Sequence, residues 1–441
     1  MNKVLLIGTS ARAAAIAEML TEGSATPVLL YCISGIRNPD LWRLSHGRLL
    51  VGDVTDLELV RRAAKQVRPD FAIIGPEAPL AAGVADELAI MGIPCFGPTR
   101  ELAQLESSKR FARELLDRNN IPGNPEFAVF EGMDGVPEYL ASLGEFVVKP
   151  NGLTGGKGVK VSGDHLASVD EGAAYAQEVL AAHSCVVIEE KMEGEEFSLQ
   201  SVFDGRHLVD TIPVQDHKRS KEYDLGPNTG GMGSYSCADH SLPFLTADDI
   251  AQASAINGAV ACALSCSFET PFKGVLYGGF MATADGVRLV EYNVRFGDPE
   301  VFNVLSLLKT DLVRALEAVF NQTLGKEHLS FRPAATVCKY VVPQGYPENP
   351  EKGEAIQSIP ASRDNMRAYC GSVDLERGTN RWLLGGSRAI AFTGIGSTLD
   401  EAEAIAEEAA CQVEGPVRHR MDIGTQESVT VRVAHMCVLR G

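Results

Sequence analysis

The stretch Glu291-Tyr292-Asn293-Val294-Arg295-Phe296-Gly297-Asp298-Pro299-Glu300 places three polar side chains two residues apart and then turns sharply. In an extended strand Glu291, Asn293 and Arg295 share one face, while Tyr292, Val294 and Phe296 line the other. A carboxylate beside an amide oxygen suits Mg²⁺, which takes one or two protein oxygens and completes its octahedron with phosphates and water. The neighbouring Arg295 can take a carboxylate or phosphate through two parallel hydrogen bonds. A solvated strand edge with an incidental ion pair would explain the triplet in isolation, so the rest of the chain decides.

Working outward, the triplet ends a strand pair, Gly274 to Met281 and Val287 to Asn293, and precedes a helix from Val301 to Phe320 and a linker from Asn321 to Pro333. Upstream lie a helix from about Ala247 to Cys262, a polar loop from Asp216 to Ser236 and a strand from Glu196 to Phe203. Between about Pro122 and Met192, strands at Glu145 to Lys149, Val159 to Ser162 and Cys185 to Glu190 bracket a helix from about Val169 to Ala181. That pattern predicts a compact α+β module acting as a mobile lid. The first hundred residues alternate apolar runs with helical patterns (Val4 to Ile7, Ala11 to Leu20, Pro27 to Ile33, Leu57 to Val67, Phe71 to Gly75), the rhythm of a parallel sheet with helices on its faces. A single helix from about Arg100 to Arg118, capped by Thr99, follows. From about Ala334 onward the chain is strand-rich, with a helix from Leu399 to Glu414. The expected division is 1–103, 104–330 with the lid at about 122–193, and 331–441.

With 441 residues, 45% of them hydrophobic, the chain can bury several cores. Its net charge of −18 argues against a nucleic-acid footprint, so an anionic ligand must be drawn in by local Lys and Arg. The apolar run after Met1-Asn2-Lys3 is too short for a signal peptide, and no later run is expected to reach membrane-spanning length. A cytoplasmic location is the expectation. Ten cysteines without a C-x-x-C predict buried thiols rather than a zinc knuckle.

Lys149-Pro150-Asn151-Gly152-Leu153-Thr154-Gly155-Gly156-Lys157-Gly158-Val159 is the chain's phosphate-loop candidate. Glycines let backbone N–H groups approach phosphate oxygens, and lysine supplies a point charge. Gly158 stands where a Walker A loop needs Ser or Thr, and a strand rather than a helix follows. The open readings are a flexible hairpin tip or a loop closing over a nucleotide. A second segment, Val186 to Glu196, sets a buried strand before a run of carboxylates, which could solubilise a strand end or accept ribose hydroxyls. Gln215-Asp216-His217-Lys218-Arg219 and Gly226 to Gly233 flank a loop able to wrap an anion.

Together these segments resemble the ATP-grasp ligases, and most closely the phosphoribosylamine–glycine ligase family. The resemblance rests on Gly75-Pro76-Glu77-Ala78-Pro79-Leu80, Phe96-Gly97-Pro98, Glu106-Ser107-Ser108-Lys109, the glycine loop, Glu195-Glu196, Asp216 to Arg219, Gly226 to Gly233 and Asn293 to Glu300, and it covers nearly the whole chain. It implies a multidomain α/β and α+β architecture: an ATP-grasp core between an N-terminal Rossmann-like parallel-sheet domain and a strand-rich C-terminal domain. ATP would lie under the lid, with Lys109, Lys149, Gly155, Gly156 and Lys157 at its phosphates or base, Glu189 and Glu190 near adenine and Glu196 near the ribose. Glu291 and Asn293 would hold Mg²⁺ or Mn²⁺. The resemblance further implies that glycine attacks the γ-phosphate to give glycyl phosphate, which the amine of 5-phosphoribosylamine then captures. Arg295, Asp216 and Lys218 would be catalytic, Arg295 taking the glycine carboxylate and Asp216 or Asp298 its ammonium, while Arg12 and Glu77 bind substrate, the loop of Arg12 lying near the phosphoribosylamine. The implied partners are these small molecules alone, with no nucleic acid or membrane, acting on a monomer.

One departure stands out. Where the family reads Gly-Gly-Arg-Glu-His-Ala, this chain has Ser10-Ala11-Arg12-Ala13-Ala14-Ala15, keeping only the arginine and the final alanine. It raises a second reading, a related ligase with a different acceptor amine. A silent ATP-binding protein is opposed by the intact Glu291, Asn293, Lys149 and Lys157, and a dinucleotide-binding dehydrogenase by the missing G-x-G-x-x-G.

Overall fold

The computed structural model describes every residue except Gly156 and Lys157. The N-terminal unit runs β1 (Asn2–Ile7), α1 (Ala11–Thr21), β2 (Val28–Ser34), α2 (Pro39–Leu44), β3 (Leu49–Val51), α3 (Leu57–Val67), β4 (Phe71–Ile74), α4 (Glu77–Ala82), α5 (Val84–Ile90) and β5 (Cys95–Phe96). Its sheet is parallel in the order β3-β2-β1-β4-β5. Central β1 is sealed on both faces, with Val4, Leu5, Leu6 and Ile7 all buried, which is why it reads as an unbroken apolar run. Strand order reverses about β1, opening a crevice at the carboxyl ends of β1 and β4, the usual ligand position in such sheets. Arg12 and Glu77 start the helices that leave those ends.

The helix expected from Arg100 to Arg118 is broken. It splits into α6 (Gln104–Ser107) and α7 (Lys109–Arg118) because Ser108 is extended and its hydroxyl caps the Phe111 N–H. Next come β6 (Phe127–Phe130), α8 (Val136–Leu143), β7 (Phe146–Pro150), β8 (Lys160–Val161), α9 (Val169–Ala182) and β9 (Val186–Glu190). The four strands form an antiparallel sheet, β6-β9-β7-β8. Its own core joins Phe146, Val148, Val186 and Ile188 to Leu140 of α8 and Ala176 and Val179 of α9.

A larger antiparallel sheet follows. Its first strands are β10 (Glu195–Phe203) and β11 (Leu208–Asp216), and the expected polar loop 216–236 is instead a hairpin, β12 (Arg219–Lys221) with β13 (Leu225–Asn228), and a buried strand, β14 (Gly233–Ser236). After α10 (Ala247–Ser267) come β15 (Gly274–Thr283) and β16 (Gly286–Asn293). The single helix expected from Val301 to Phe320 is two, α11 (Glu300–Leu307) and α12 (Leu312–Phe320), the second capped by Asp311. Within the expected linker, Phe331 bridges back to Leu308.

β17 (Ala335–Pro343) then enters the same sheet, pairing with β14. Beyond it lie β18 (Ala355–Ile356), β19 (Met366–Cys370), β20 (Val373–Leu375), β21 (Trp382–Leu384), β22 (Ile390–Gly396), α13 (Leu399–Cys411), β23 (Val417–Arg418) and α14 (Gln426–Arg440). The large sheet runs β16-β15-β10-β11-β14-β17-β22-β19, with β23 also on β17, and so continues unbroken across residues 330 and 331. Two expectations are corrected here. By length and composition α10 could cross a membrane, yet its Ala253, Ile256, Val260 and Leu264 face is buried. Of the thiols expected to be buried, Cys262, Cys266, Cys411 and Cys437 are exposed.

Candidate active site

The alternation read from the sequence holds at the end of β16, where Arg295 Nη2 donates to Asn293 Oδ1 at 2.9 Å. The carboxylate of Glu291, one step back on this face, accepts no hydrogen bond from any described residue. Burial alone would raise its pKa, but the charges of Lys218, Lys109, Lys149 and Arg295 outweigh burial and hold it below the ordinary value. Glu291 is therefore an ionised carboxylate with its lone pairs unspent among cations. That is the donor a divalent metal needs, and Asn293 Oδ1 is the second oxygen beside it, so the pair fits Mg²⁺ or Mn²⁺.

The wall next to it is saturated. Arg113 of α7 makes a bidentate pair with Glu189 of β9, at 2.7 and 2.8 Å, and Lys149 Nζ of β7 donates to the same carboxylate at 2.6 Å. Arg113 also donates to the carbonyls of Leu289 and Val290 in β16 at 3.1 and 2.8 Å, tying β9 to β16. Burial would raise the Glu189 pKa; Arg113 and Lys149 reverse this and bring it down to about 2. The Glu189 carboxylate is thus fully engaged by the triad, and its strand lies between β6 and β7. Lys149 is likewise engaged from this side. Glu190 accepts from the Glu126 N–H at 2.8 Å and pairs with Arg288. Arg113 was not singled out from sequence, although it lies one helical turn from Lys109, the spacing that shares a face.

Across the basin, Arg295 is ringed by Glu106 at 3.0 Å and Glu77 at 3.4 Å. Arg12 donates to the Phe296 carbonyl at 2.7 Å and meets the same Glu77 oxygen at 3.4 Å. Glu77 would be raised by burial but is brought to about 2 by Arg295 and Arg12. Burial dominates at Glu106, raising it to about 7 against the pull of Arg295. An anion reaching Arg295 must therefore compete with two resident carboxylates.

Lys109, the first residue of α7, donates to the Gly152 carbonyl at 2.9 Å and so anchors the glycine loop. Gly155 adopts φ +58° with open space where a side chain would sit, so the turn rather than crowding calls for glycine. Gly156 and Lys157 lie outside the described residues. Lys218 pairs with Glu196 at 2.7 Å. Asp216, at the end of β11, has no donor among the described residues; burial raises it to about 7, Lys218 opposing and Glu300 and Glu196 adding to the rise. Glu300 accepts from the Tyr277 hydroxyl at 2.7 Å, and Gly297 N–H donates to Gln200 at 2.8 Å. A side chain at Gly297 would collide with Glu300 and Tyr277. Asp298 is engaged on another side: Tyr340 and Arg388 hold one of its oxygens at 2.6 and 3.1 Å.

The altered segment Ser10 to Ala15 opens α1, and Ala11, Ala13, Ala14 and Ala15 are all buried. These alanines are buried in a helix that packs on α2, α11 and β19.

The chain matches the phosphoribosylglycinamide synthetase N domain over residues 2–106, its ATP-grasp (A) domain over 107–301 and its C domain over 336–426. It is 44% identical over 439 residues to the phosphoribosylamine–glycine ligase of Methanocella arvoryzae and 45% identical over 451 residues to that of Methanopyrus kandleri, covering 100% of each pair. The crystal structure of the Thermotoga maritima phosphoribosylamine–glycine ligase superposes with a TM-score of 0.78 at 26% identity, over 95% of this chain and 99% of that one. The biotin carboxylase domain of Hydrogenobacter thermophilus 2-oxoglutarate carboxylase, solved with MgADP, shares the fold with a TM-score of 0.73 at 13% identity, over 99% and 94%.

Proposed function

Because the chain belongs to the phosphoribosylglycinamide synthetase family, we infer that it is an ATP-dependent carbon–nitrogen ligase joining glycine to 5-phosphoribosylamine, with glycinamide ribonucleotide, ADP and phosphate as products, a step of purine biosynthesis. The observation that carries the reading is the unspent Glu291 carboxylate set among Lys109, Lys149, Lys218 and Arg295. Glu291 and Asn293 would hold Mg²⁺ or Mn²⁺, which would supply neutralisation of the ATP phosphate charge. Around it, Lys109 steadies the glycine loop, and Lys218, kept charged by Glu196 and Asp216, neutralises charge on the transferring phosphoryl group. Phosphoryl transfer needs little else from a protein than such positioning and charge.

Glycyl phosphate is the intermediate this arrangement favours. The glycine carboxylate, before it is phosphorylated, would replace Glu77 or Glu106 on Arg295, and the glycine ammonium would meet Asp216, which has no donor among the described residues. Asp298 is a weaker choice because Tyr340 and Arg388 already occupy it. Acyl phosphates hydrolyse readily, so the lid at about 122–193 serves to exclude water. The acceptor belongs at the crevice of β1 and β4, where Arg12 and Glu77 converge. We divide the chain functionally at 103/104 and 330/331, and read it as a cytoplasmic monomer that works without nucleic acid or membrane. The test is release of phosphate from ATP and Mg²⁺: the reading requires both glycine and freshly generated 5-phosphoribosylamine, with glycinamide ribonucleotide formed. Intact ATP binding without turnover on that pair would transfer the assignment to another acceptor amine.

A further inference from the structure

Outside the site, and among the described residues, one cluster brings three metal-ligating side chains together: Glu407 and Cys411 of α13 and His419 just after β23. Cys411 Sγ lies 3.3 Å from Glu407 Oε1, His419 Nε2 lies 3.0 Å from the same oxygen, and sulfur and nitrogen are 4.0 Å apart. Zinc bonds of roughly 2.0–2.3 Å at tetrahedral angles put neighbouring ligand atoms about 3.3–3.6 Å apart. The trio is therefore within about half an ångström of one face of a tetrahedron. We propose that Glu407, Cys411 and His419 form a binding site for a thiophilic divalent cation of the Zn²⁺ class, with the fourth position left to water.

The surroundings support the geometry. Glu407 and Cys411 are four residues apart, so they project from one face of α13, and His419 arrives from a separate element. Cys411 is exposed and the other two are partly so, leaving a path for an ion. The adjacent cation, Lys339, does not occupy the ligand atoms. Its buried Nζ donates to Glu407 Oε2 at 2.6 Å, Glu403 Oε1 at 2.5 Å and the Met421 carbonyl at 2.7 Å, so it orients Glu407 while leaving Oε1 to face the sulfur and the imidazole. One lysine against two glutamates leaves a net negative charge, which a dication would balance. Orienting bonds of this kind are the usual support of a metal ligand. Binding would exchange the thiol proton, released to buffer, for a metal–sulfur bond.

The site would also brace the active-site hairpin. His419 sits in the segment Arg418-His419-Arg420, where Arg418 donates to the Ser220 carbonyl at 2.7 Å and the buried Arg420 donates to Arg219 O and Asp224 at 2.9 Å. Those partners belong to β12 and its turn, directly after Lys218. A metal fixed to α13 and His419 would hold this clamp against the body of the C-terminal region.

The experiment titrates chelator-stripped full-length protein, free of nucleotide, with Co²⁺ and then Zn²⁺. The expected result is one equivalent bound with a sulfur-to-cobalt charge-transfer band, kept in the C262S/C266S variant and lost in C411S. H419Q should weaken affinity at least about tenfold, on the scale known for ligand support. Cobalt at Glu291 and Asn293 gives no sulfur band, so failure of this proposal is distinct from failure of the ligase assignment. A band that survives in C411S, or no band at micromolar metal, would overturn it and leave a hydrogen-bonded cluster.

Discussion

The two carboxylates Glu189 and Glu291 lie near the ends of strands in different sheets and share the charges of Lys109 and Lys149, yet the fold treats them oppositely. Glu189 accepts from Arg113 and Lys149 and has nothing left to offer. Glu291 sits among the charges of Lys109, Lys149, Lys218 and Arg295 but accepts from no described residue. Burial acts on both, and cations overcome it at both. What differs is whether the compensating charge arrives as a hydrogen bond or only as a field. The saturated carboxylate is a fastener between lid and core, whereas the unsaturated one stores attraction for a ligand. A strained or unspent group is where function is expected, since folding alone would have paired it.

The sharpest way to break this comparison is Glu291→Gln. It removes charge from a side chain that holds nothing in the fold, so thermal stability should stay within about 1 kcal/mol, as for substitutions that break no contact. Ligase turnover should fall by about 10³-fold or more, the scale seen when one transition-state electrostatic contact is lost. Equal loss of stability and activity would mean that Glu291 is a fastener after all.

Arg113→Met should show the reverse. Removing one partner of a buried pair leaves an uncompensated charge and costs about 3 kcal/mol or more, read as lost hydrogen-exchange protection across β7, β9 and the end of β16. Activity per folded molecule should fall less than in Glu291→Gln. The same triad sets a pH limit. Glu189 is held near 2 against an ordinary 4.5, so its contribution is complete above the ordinary value and is lost as pH falls through that interval. Lid protection should therefore decline on acidification from pH 5 to pH 3 in the parent protein, and Glu189→Gln, already weakened, should show little further decline.

Much of this was legible in the residues, and the exceptions have physical reasons. The apolar run Val4 to Ile7 and the period-2 pattern of Glu291, Asn293 and Arg295 declare buried and half-buried strands directly. β3 escaped notice because it is three residues long and half-exposed to exposed. β11 was hidden by Pro213, a residue that argues against a strand; the fold accommodates it beside a register shift opposite Leu199 and Ser201. The breaks at Ser108 and at Leu308 to Asp311 fall inside continuous helical patterns and depend on caps. At the site, residue types were readable but their occupancy was not. Arg113 reaches Glu189 across 76 positions of sequence, and only the folded chain reveals that this pairing spends one carboxylate and spares another.

Asp216 offers the finest test, because within the site it too accepts from no described residue, and burial pushes it up to about 7. Burial raises it, with Glu300 and Glu196 adding to the rise and Lys218 opposing. If its charged form receives the glycine ammonium, kcat/KM for glycine should increase as pH rises through 7. A single group with that pKa gains about tenfold in its ionised fraction between pH 6 and pH 8. Asp216→Asn should flatten that slope and leave the activity near the low-pH level of the parent protein. Burial also pushes Glu106 up to about 7, but it accepts from the Val294 N–H at 2.8 Å and pairs with Arg295, so its ionisation changes the grip on Arg295 rather than meeting an ammonium. A slope that persists in Asp216→Asn and disappears in Glu106→Gln would move the pH dependence to the ring around Arg295, and the contrast between spent and unspent carboxylates would then rest on Glu291 alone.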